Sequence, residues 1–384
     1  MKYIERHHDI NTIKELMDFF PVTAILGSRQ CGKTVLANML HYDHYFDLEN
    51  PHDYFQLSES PQITLENLSG TIVIDEVQLI PELFTLLRYL VDHPKVEQKY
   101  LILGSSSHEL RTKSAESLAG RIGTHILSGL TLLDIGTSNF KKLWLVGGYP
   151  KAYTAKDEHL SFLWLKNYIQ SHCEKDIPRL GVSISAPLIY RFWTMLSHYH
   201  GNMINYSDLG RSFGIADTTV RKYLEILSGT FLIRLLQPWH TNTGKRLVKR
   251  PKIYIRDSGV FHSLQSISDT TSLQSNPMLG ASWEGYALEA VTRLIQKRDE
   301  ELFFYRTHNG TEIDLYFKEN GRNIGIEFKY SDTPKNTKSI VEGIKELQLD
   351  KLFIVYPGDR RYQLNENVEI VGISHLSNKD VFNF

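Results

Sequence analysis

The sequence predicts an α/β protein of more than one domain, with a parallel sheet in its first third. Three observations predict it. At 384 residues the chain exceeds the length at which a single hydrophobic core usually stops growing. The apolar run Val22-Thr23-Ala24-Ile25-Leu26 reads as a strand that passes through a glycine-rich turn into an apolar helix, Val35 to Leu40. From about Leu279 the pattern changes again. A helix around Trp283 to Val291 is followed by strand-like runs at Leu302 to Arg306, Glu312 to Phe317 and Ile324 to Lys329.

Composition narrows the class. With 41% hydrophobic and 23% charged residues the chain has ordinary soluble character, and no apolar run is long enough to span a bilayer. Met1 to Asp9 carries Glu5, Arg6, Asp9 and two histidines where a secretion signal would be apolar. Cys31 and Cys173 are too few for a disulfide framework, so a reducing, cytoplasmic setting is expected. The net charge of −1 excludes the uniformly basic surface of a protein that coats nucleic acid, so any DNA contact must come from a local patch.

The turn after the first strand is Gly27-Ser28-Arg29-Gln30-Cys31-Gly32-Lys33-Thr34, which matches G-x-x-x-x-G-K-[ST] without a mismatch. The two glycines let successive backbone N–H groups converge on a polyphosphate. Lys33 supplies a mobile ammonium for the β- and γ-phosphates, and Thr34 a hydroxyl for Mg²⁺. ATP and Mg²⁺ are therefore the expected ligands. ATP should also shield Cys31, inside the loop, from alkylation.

Thr71-Ile72-Val73-Ile74-Asp75-Glu76 is an apolar strand ending in two acids, as expected of a strand buried on both faces. Asp75 is expected to hold the Mg²⁺, and Glu76 to activate the attacking water. A third strand, Tyr100 to Leu103, ends in Gly104-Ser105-Ser106-Ser107, so Ser105 is either a γ-phosphate sensor or a loop serine. Arg121 can reach phosphate within the chain or across a subunit contact, or is a surface cation. The expected catalytic set is Lys33, Glu76, Ser105 and Arg121.

These segments resemble the AAA+ superfamily ATPases of bacteria and archaea that carry a conserved C-terminal domain of unknown function. Besides the two nucleotide motifs, the resemblance is carried by Val77-Gln78, Leu103-Gly104-Ser105-Ser106, Ser117-Leu118-Ala119-Gly120-Arg121 and Gly147-Gly148-Tyr149-Pro150. Pro251-Lys252-Ile253-Tyr254-Ile255-Arg256-Asp257-Ser258-Gly259 resembles the family's middle signature, with Arg256 and Ser258 as departures. The resemblance spans nearly the whole chain. It implies that Gly120-Arg121 serves the nucleotide-responsive part of the ATPase.

In the middle, Leu160, Leu163, Trp164 and Tyr168 recur at helical spacing, and Glu174-Lys175-Asp176-Ile177-Pro178 is expected to break that helix. After another helix, Leu188 to Tyr199, the run from Asn205 to Leu227 reads as helix, glycine turn and second helix capped by Asp217. Val220, Leu224 and Leu227 should face the core, leaving Thr218, Thr219, Arg221 and Lys222 exposed. The strand Phe231 to Leu236 and the basic segment 245–252 suggest a wing that clamps phosphates. A solvated charge run, or a module for protein contact, is the competing reading.

The C-terminal pattern resembles the PD-(D/E)XK restriction-endonuclease fold. Asp314 and Glu327 on adjacent strands can converge on a second metal, and Lys329 shares a strand face with Glu327. Glu284 or Glu289 can supply a helix carboxylate. The proline that usually precedes the first acid is absent, with Ile313 in its place.

Three domains follow as an expectation. A P-loop AAA+ domain with a parallel sheet spans 1–150, a central winged-helix-like helical domain 151–255, and a small restriction-endonuclease-like α/β domain 256–384. The function expected is an ATPase that couples hydrolysis to a DNA-binding, nuclease-like module, conceivably as a homo-oligomer and away from membranes. An ATP-gated metal-dependent nuclease and a protein-interaction scaffold without nuclease activity are the alternatives.

Overall fold

The computed structural model describes residues 4–95, 97–105, 118–179, 184–240, 248–335, 337–377 and 379–382. The chain divides into two compact units, Met1–Gly129 with Gly229–Phe231 and Leu130–Ser228 with Leu232–Phe384. The division expected near 150 thus falls at 130, and the one expected near 255 lies inside the second unit. Among the described residues no helix is long and apolar enough to cross a membrane.

Among the described residues the first unit is built on five strands: β1 (Val22–Leu26), β2 (His44–Asp47), β3 (Gly70–Asp75), β4 (Gln98–Gly104) and β5 (Ile122–Ile126). They lie in the order β2-β3-β4-β1-β5, and every neighbouring pair is parallel. Successive side chains of a strand face opposite sides, and here both sides are covered. Val22, Ala24, Ile72, Ile74 and Ile102 pack with Leu83, Phe84 and Leu87 of the helix Leu83–Asp92. Ile25, Val73, Leu101 and Leu103 pack with Ile13 of the helix His7–Phe19 and with Leu36, Ala37 and Leu40. That is why β1 and β3 read as unbroken apolar runs. Parallel pairing places the residues after β1, β2, β3 and β4 along one edge of the sheet.

Among the described residues the second unit is organised around nine strands, β6 (Asn202–Met203), β7 (Ile233–Pro238), β8 (Lys252–Ile255), β9 (Phe303–Arg306), β10 (Glu312–Glu319), β11 (Arg322–Phe328), β12 (Lys351–Tyr356), β13 (Arg361–Gln363) and β14 (Val368–Gly372). Their order is β13-β14-β12-β11-β10-β9-β7-β8-β6. The parallel pair β7–β9, with Gln237 opposite Phe303, joins the middle strands to the C-terminal ones. For this reason no break falls at 255. Residues 130–150 also pack here: Trp144 stands edge-on to Trp283 and donates its indole N–H to Ser282 Oγ at 2.8 Å.

The helix Tyr206–Phe213, a left-handed Gly214 and the helix Asp217–Gly229 follow in the expected order. Val220, Leu224 and Leu227 are buried, Thr218, Arg221 and Lys222 exposed, and Thr219 half-buried. Asp217 is the first helical residue, and its carboxylate accepts the Ser207 hydroxyl. Two expectations are corrected. The helix Glu158–Ser171 does not break at Glu174 but runs on as a π-helical turn, His172–Asp176, into Ile177–Arg179. Its buried face is Ser161, Leu165, Tyr168 and Ile169, whereas Leu160 and Leu163 are exposed.

Candidate functional site

The loop after β1 closes tightly for reasons legible at single atoms. A Cβ on Gly27 would lie 2.2 Å from the Leu127 carbonyl oxygen, so only glycine fits. Gln30 at φ 63° and Gly32 at φ 109° curl the loop through the left-handed region. Beneath it, buried Arg6 donates to the carbonyl of Cys31 (3.3 Å) and to that of Ser128 (2.9 Å). Nothing in the sequence pattern had singled out Arg6.

Lys33 opens the helix Lys33–Ala37 and folds back, donating to the carbonyls of Gly27 (3.0 Å) and Ser28 (3.1 Å). Its ammonium therefore spans the loop that the phosphates would enter. Arg29 turns aside to Glu49 at 2.6 Å, leaving its backbone as its part of the loop. Cys31 is fully buried among Ile25, Leu36 and Leu103. The expected protection by ATP is corrected accordingly, because this thiol is shielded by protein before any nucleotide binds.

Thr34 and Asp75 meet across the sheet edge, the Thr34 hydroxyl donating to Asp75 Oδ2 at 2.7 Å. Hard oxygen donors of this kind suit Mg²⁺, so the residues present fit the expected ion. The Tyr45 hydroxyl, from β2, donates to the same Asp75 oxygen at 2.7 Å. Burial, reinforced by the Asp75 carboxylate, raises the Tyr45 phenol well above its ordinary value, so it stays a donor. Sequence reading missed Tyr45 because β2 carries no motif; only its register beside β3 brings it here. Tyr45→Phe should weaken Mg·ATP binding about fivefold, the worth of one hydrogen bond. Calorimetry checks this, and an equal loss in EDTA would remove Tyr45 from the metal site.

Glu76 leaves β3 in the left-handed region at φ 54°, which turns its side chain out of the strand's alternation. Its Oε2 accepts from the Gln78 amide and lies 3.3 Å from the Ser105 hydroxyl. Ser105 is thus brought beside Glu76, while Ser106 and Ser107 lie outside the described residues. Arg121 does not join them. It precedes β5, whose Ile122 pairs with Val22, so it stands at the opposite strand ends from Gly27. The five residues of the strand separate the two levels, roughly 20 Å. The expected contact with phosphate of the same chain is thereby corrected: Arg121 instead holds Asp92 through two bonds, at 2.5 and 2.9 Å.

A second polar cluster lies in the other unit. Asp314 and Glu327 lie side by side, the Asp314 backbone N–H donating to Glu327 Oε1 at 3.3 Å, and Lys329 reaches Glu327 at 2.6 Å. Of the two helix carboxylates, Glu284 joins them, and Glu289 turns to Arg234. The cation among the acids is one the sequence reading placed elsewhere. Lys252, 1% exposed, lies 2.6 Å from Glu312, 3.1 Å from Glu284 and 3.5 Å from Asp314. Burial opposes its charge, but these acids outweigh burial and raise it well above the ordinary lysine value. Lys252 is thus withdrawn from the expected basic clamp 245–252, of which residues 245–247 lie outside the described residues.

Burial and the nearby Asp314 charge raise the Glu327 carboxyl above its ordinary range. Among the described residues no group of three or more His, Cys, Asp or Glu side chains is arranged to hold a metal ion. Each carboxylate is already engaged, Asp314 by Lys252 and the Phe328 N–H, Glu327 by Lys329 and the Asp314 N–H.

Comparison with known proteins matches residues 20–135 to an AAA domain, 137–271 to a domain of unknown function (DUF8612) and 279–376 to a domain of unknown function (DUF4143). The chain is 43% identical over 371 residues to the uncharacterized protein Rv2008c of Mycobacterium tuberculosis and equally to Mb2031c of Mycobacterium bovis. In each case 96% of this chain and 83% of the relative are covered. Among solved structures, the Walker-type ATPase paby2304 of Pyrococcus abyssi is similar at 16% identity and a TM-score of 0.47. That match covers 68% of this chain and 96% of the other. The Aeropyrum pernix ORC2 protein in its ADP form is similar at 13% identity and a TM-score of 0.34, over 71% of this chain and 95% of that one.

Proposed function

The chain belongs to one family with the mycobacterial proteins Rv2008c and Mb2031c and carries the AAA domain of P-loop ATPases; from that premise we propose that it hydrolyses Mg·ATP in the cytoplasm and uses the cycle to change its hold on DNA. The observation that carries the hydrolase reading is the meeting of Lys33, Thr34, Asp75, Glu76 and Ser105 at one sheet edge. Bound Mg²⁺ would neutralise charge on the β- and γ-phosphates. Thr34 and Asp75 would hold it. Lys33 exchanges its loop carbonyls for phosphate oxygens. Glu76 takes a proton from the water whose oxygen bonds the γ-phosphorus, while the bond from that phosphorus to the bridging oxygen breaks and ADP leaves with the electron pair.

The DNA part of the proposal is supported by the second unit. The helix–turn–helix is followed by the antiparallel pair β7–β8, in the order of a winged helix, and exposes Arg221 and Lys222. A cleft of about 660 Å³ is lined by Lys249, Arg250, Arg306, Thr307 and His308. Lys249 and Arg250 also line a neighbouring cleft of about 350 Å³ with Tyr206 and Arg221. These cations offer a backbone-binding path that net charge alone conceals. Arg306 extends this path beyond the segment singled out in the sequence.

The test is phosphate release by the whole chain with Mg²⁺, with and without duplex DNA, over a salt series. Expected are turnover altered by DNA and an affinity that falls with salt, its log–log slope shrinking by about one for each of Lys249→Ala, Arg250→Ala and Arg306→Ala. Salt-independent binding would reject the DNA reading in favour of a protein scaffold. The gathering of Glu284, Asp314, Glu327 and Lys329 supports a second reading, a restriction-endonuclease-like nuclease. DNA cleavage in Mg²⁺ or Mn²⁺ that is lost in Asp314→Ala and Lys329→Ala would favour it.

A further inference from the structure

Gln78 lies two residues beyond Glu76, in the short 3-10 turn Val77–Leu79 that follows β3. Its side-chain nitrogen donates to Glu76 Oε2 and approaches the Ser105 hydroxyl at 3.2 Å. Ser105 in turn lies 3.3 Å from the same Glu76 oxygen. Three polar side chains from two parallel strand ends thus close a triangle on one carboxylate oxygen, and among the described residues Glu76 Oε1 takes no hydrogen bond.

The orientation of the amide is set by charge. With oxygen and nitrogen exchanged, a carbonyl oxygen would face the Glu76 carboxylate, so the nitrogen must face it. In that orientation Gln78 Oε1 is buried and has no partner among the described residues. A buried amide seldom leaves its oxygen unpaired unless its nitrogen is held by something stronger. Here that is a hydrogen bond to a charged carboxylate.

From this geometry we infer that Gln78 is a positioning residue for ATP hydrolysis. It pins Oε2 of Glu76 and so aims Oε1 at the attacking water, while Ser105 links that aim to the γ-phosphate. The inference rests on the hydrolase reading above and adds to it the group that orients the base. Gln78 itself gains and loses no proton; the water proton goes to Glu76. The left-handed backbone at Glu76 makes such a tether useful, because a base on a bend has no neighbouring strand to fix its rotamer.

The experiment compares the whole chain with Gln78→Met, which keeps the volume and removes the donor, and with Gln78→Asn, which keeps the amide on a shorter stem. Steady-state ATP turnover, calorimetric affinity for Mg·ADP and melting temperature are measured for each. Expected is a loss of kcat of up to about 100-fold in Gln78→Met, with KM, Mg·ADP affinity and melting temperature unchanged and partial recovery of kcat in Gln78→Asn. Ser105→Ala combined with Gln78→Met should cost less than the product of the two single losses, since both act through one carboxylate. An active parent with Gln78→Met turning over at the parental rate would overturn the positioning role. So would a kcat loss accompanied by equal losses in nucleotide affinity and melting temperature. A parent that binds Mg·ADP and never turns over ATP would instead reject the hydrolase reading, and the positioning role with it.

Discussion

Glu76→Gln should bind Mg·ATP as tightly as the parent and lose turnover by about 10²- to 10⁴-fold, the usual contribution of a positioned general base. The amide occupies the same space and can still accept at its oxygen from Gln78 and Ser105, so the loop and Asp75 need not move. What disappears is the proton acceptor. Binding and chemistry should therefore separate, with unchanged calorimetric affinity and vanishing phosphate release. Unchanged turnover would remove Glu76 from the mechanism. Parallel loss of binding would show that the substitution had disturbed the loop.

The second large effect is one of stability. Glu289→Leu should destabilise the second unit by about 3–5 kcal/mol, the cost of leaving buried charge without its partner. Glu289 takes two bonds from Arg234, at 2.6 and 3.1 Å, and lies 3.5 Å from Arg293 and 3.9 Å from Arg256. Arg234 and Arg256 are nearly buried, and Asp299, 40% exposed and already bonded to both, would be left to balance them together with Arg293. Burial raises the Glu289 carboxyl, but the three guanidiniums outweigh burial and hold it below its ordinary 4.5. For an acid depressed in the folded state, the stabilisation is complete above the unfolded value and lost as pH falls through the folded one. Urea unfolding near neutral pH should show the full deficit, narrowing as pH falls below about 4.5. A deficit under about 1 kcal/mol would mean that the network is no more than a surface ion pair.

Both expectations show where sequence reading succeeds and where it stops. The nucleotide loop was legible because its chemistry is local: eight consecutive residues carry both the turn and the ligands, and the strand and helix beside them confirm the context. Asp75 and Glu76 were legible because an apolar run ending in acids can hardly be anything but a buried parallel strand reaching a site. Tyr45 carries no such signal and Gln78 only its part in the family resemblance, since a tyrosine or glutamine acquires its role from what the sheet order sets beside it. Arg121 shows the converse for phosphate of the same chain. It had a plausible pattern, but strand register alone tells which end of a parallel sheet a residue occupies.

By itself the sequence determined that the chain has a phosphate loop, an acid-ended strand, a helix–turn–helix order and a change of pattern near Leu279. Each follows from residues close together along the chain. Only tertiary structure decided that β7 and β8 share a sheet with the C-terminal strands, that Lys252 lies among Glu284, Glu312 and Asp314, and that Glu289 answers arginines rather than a metal. The physical reason is that charge pairing in a core depends on distances between residues tens of positions apart. Local pattern has no means of encoding those distances.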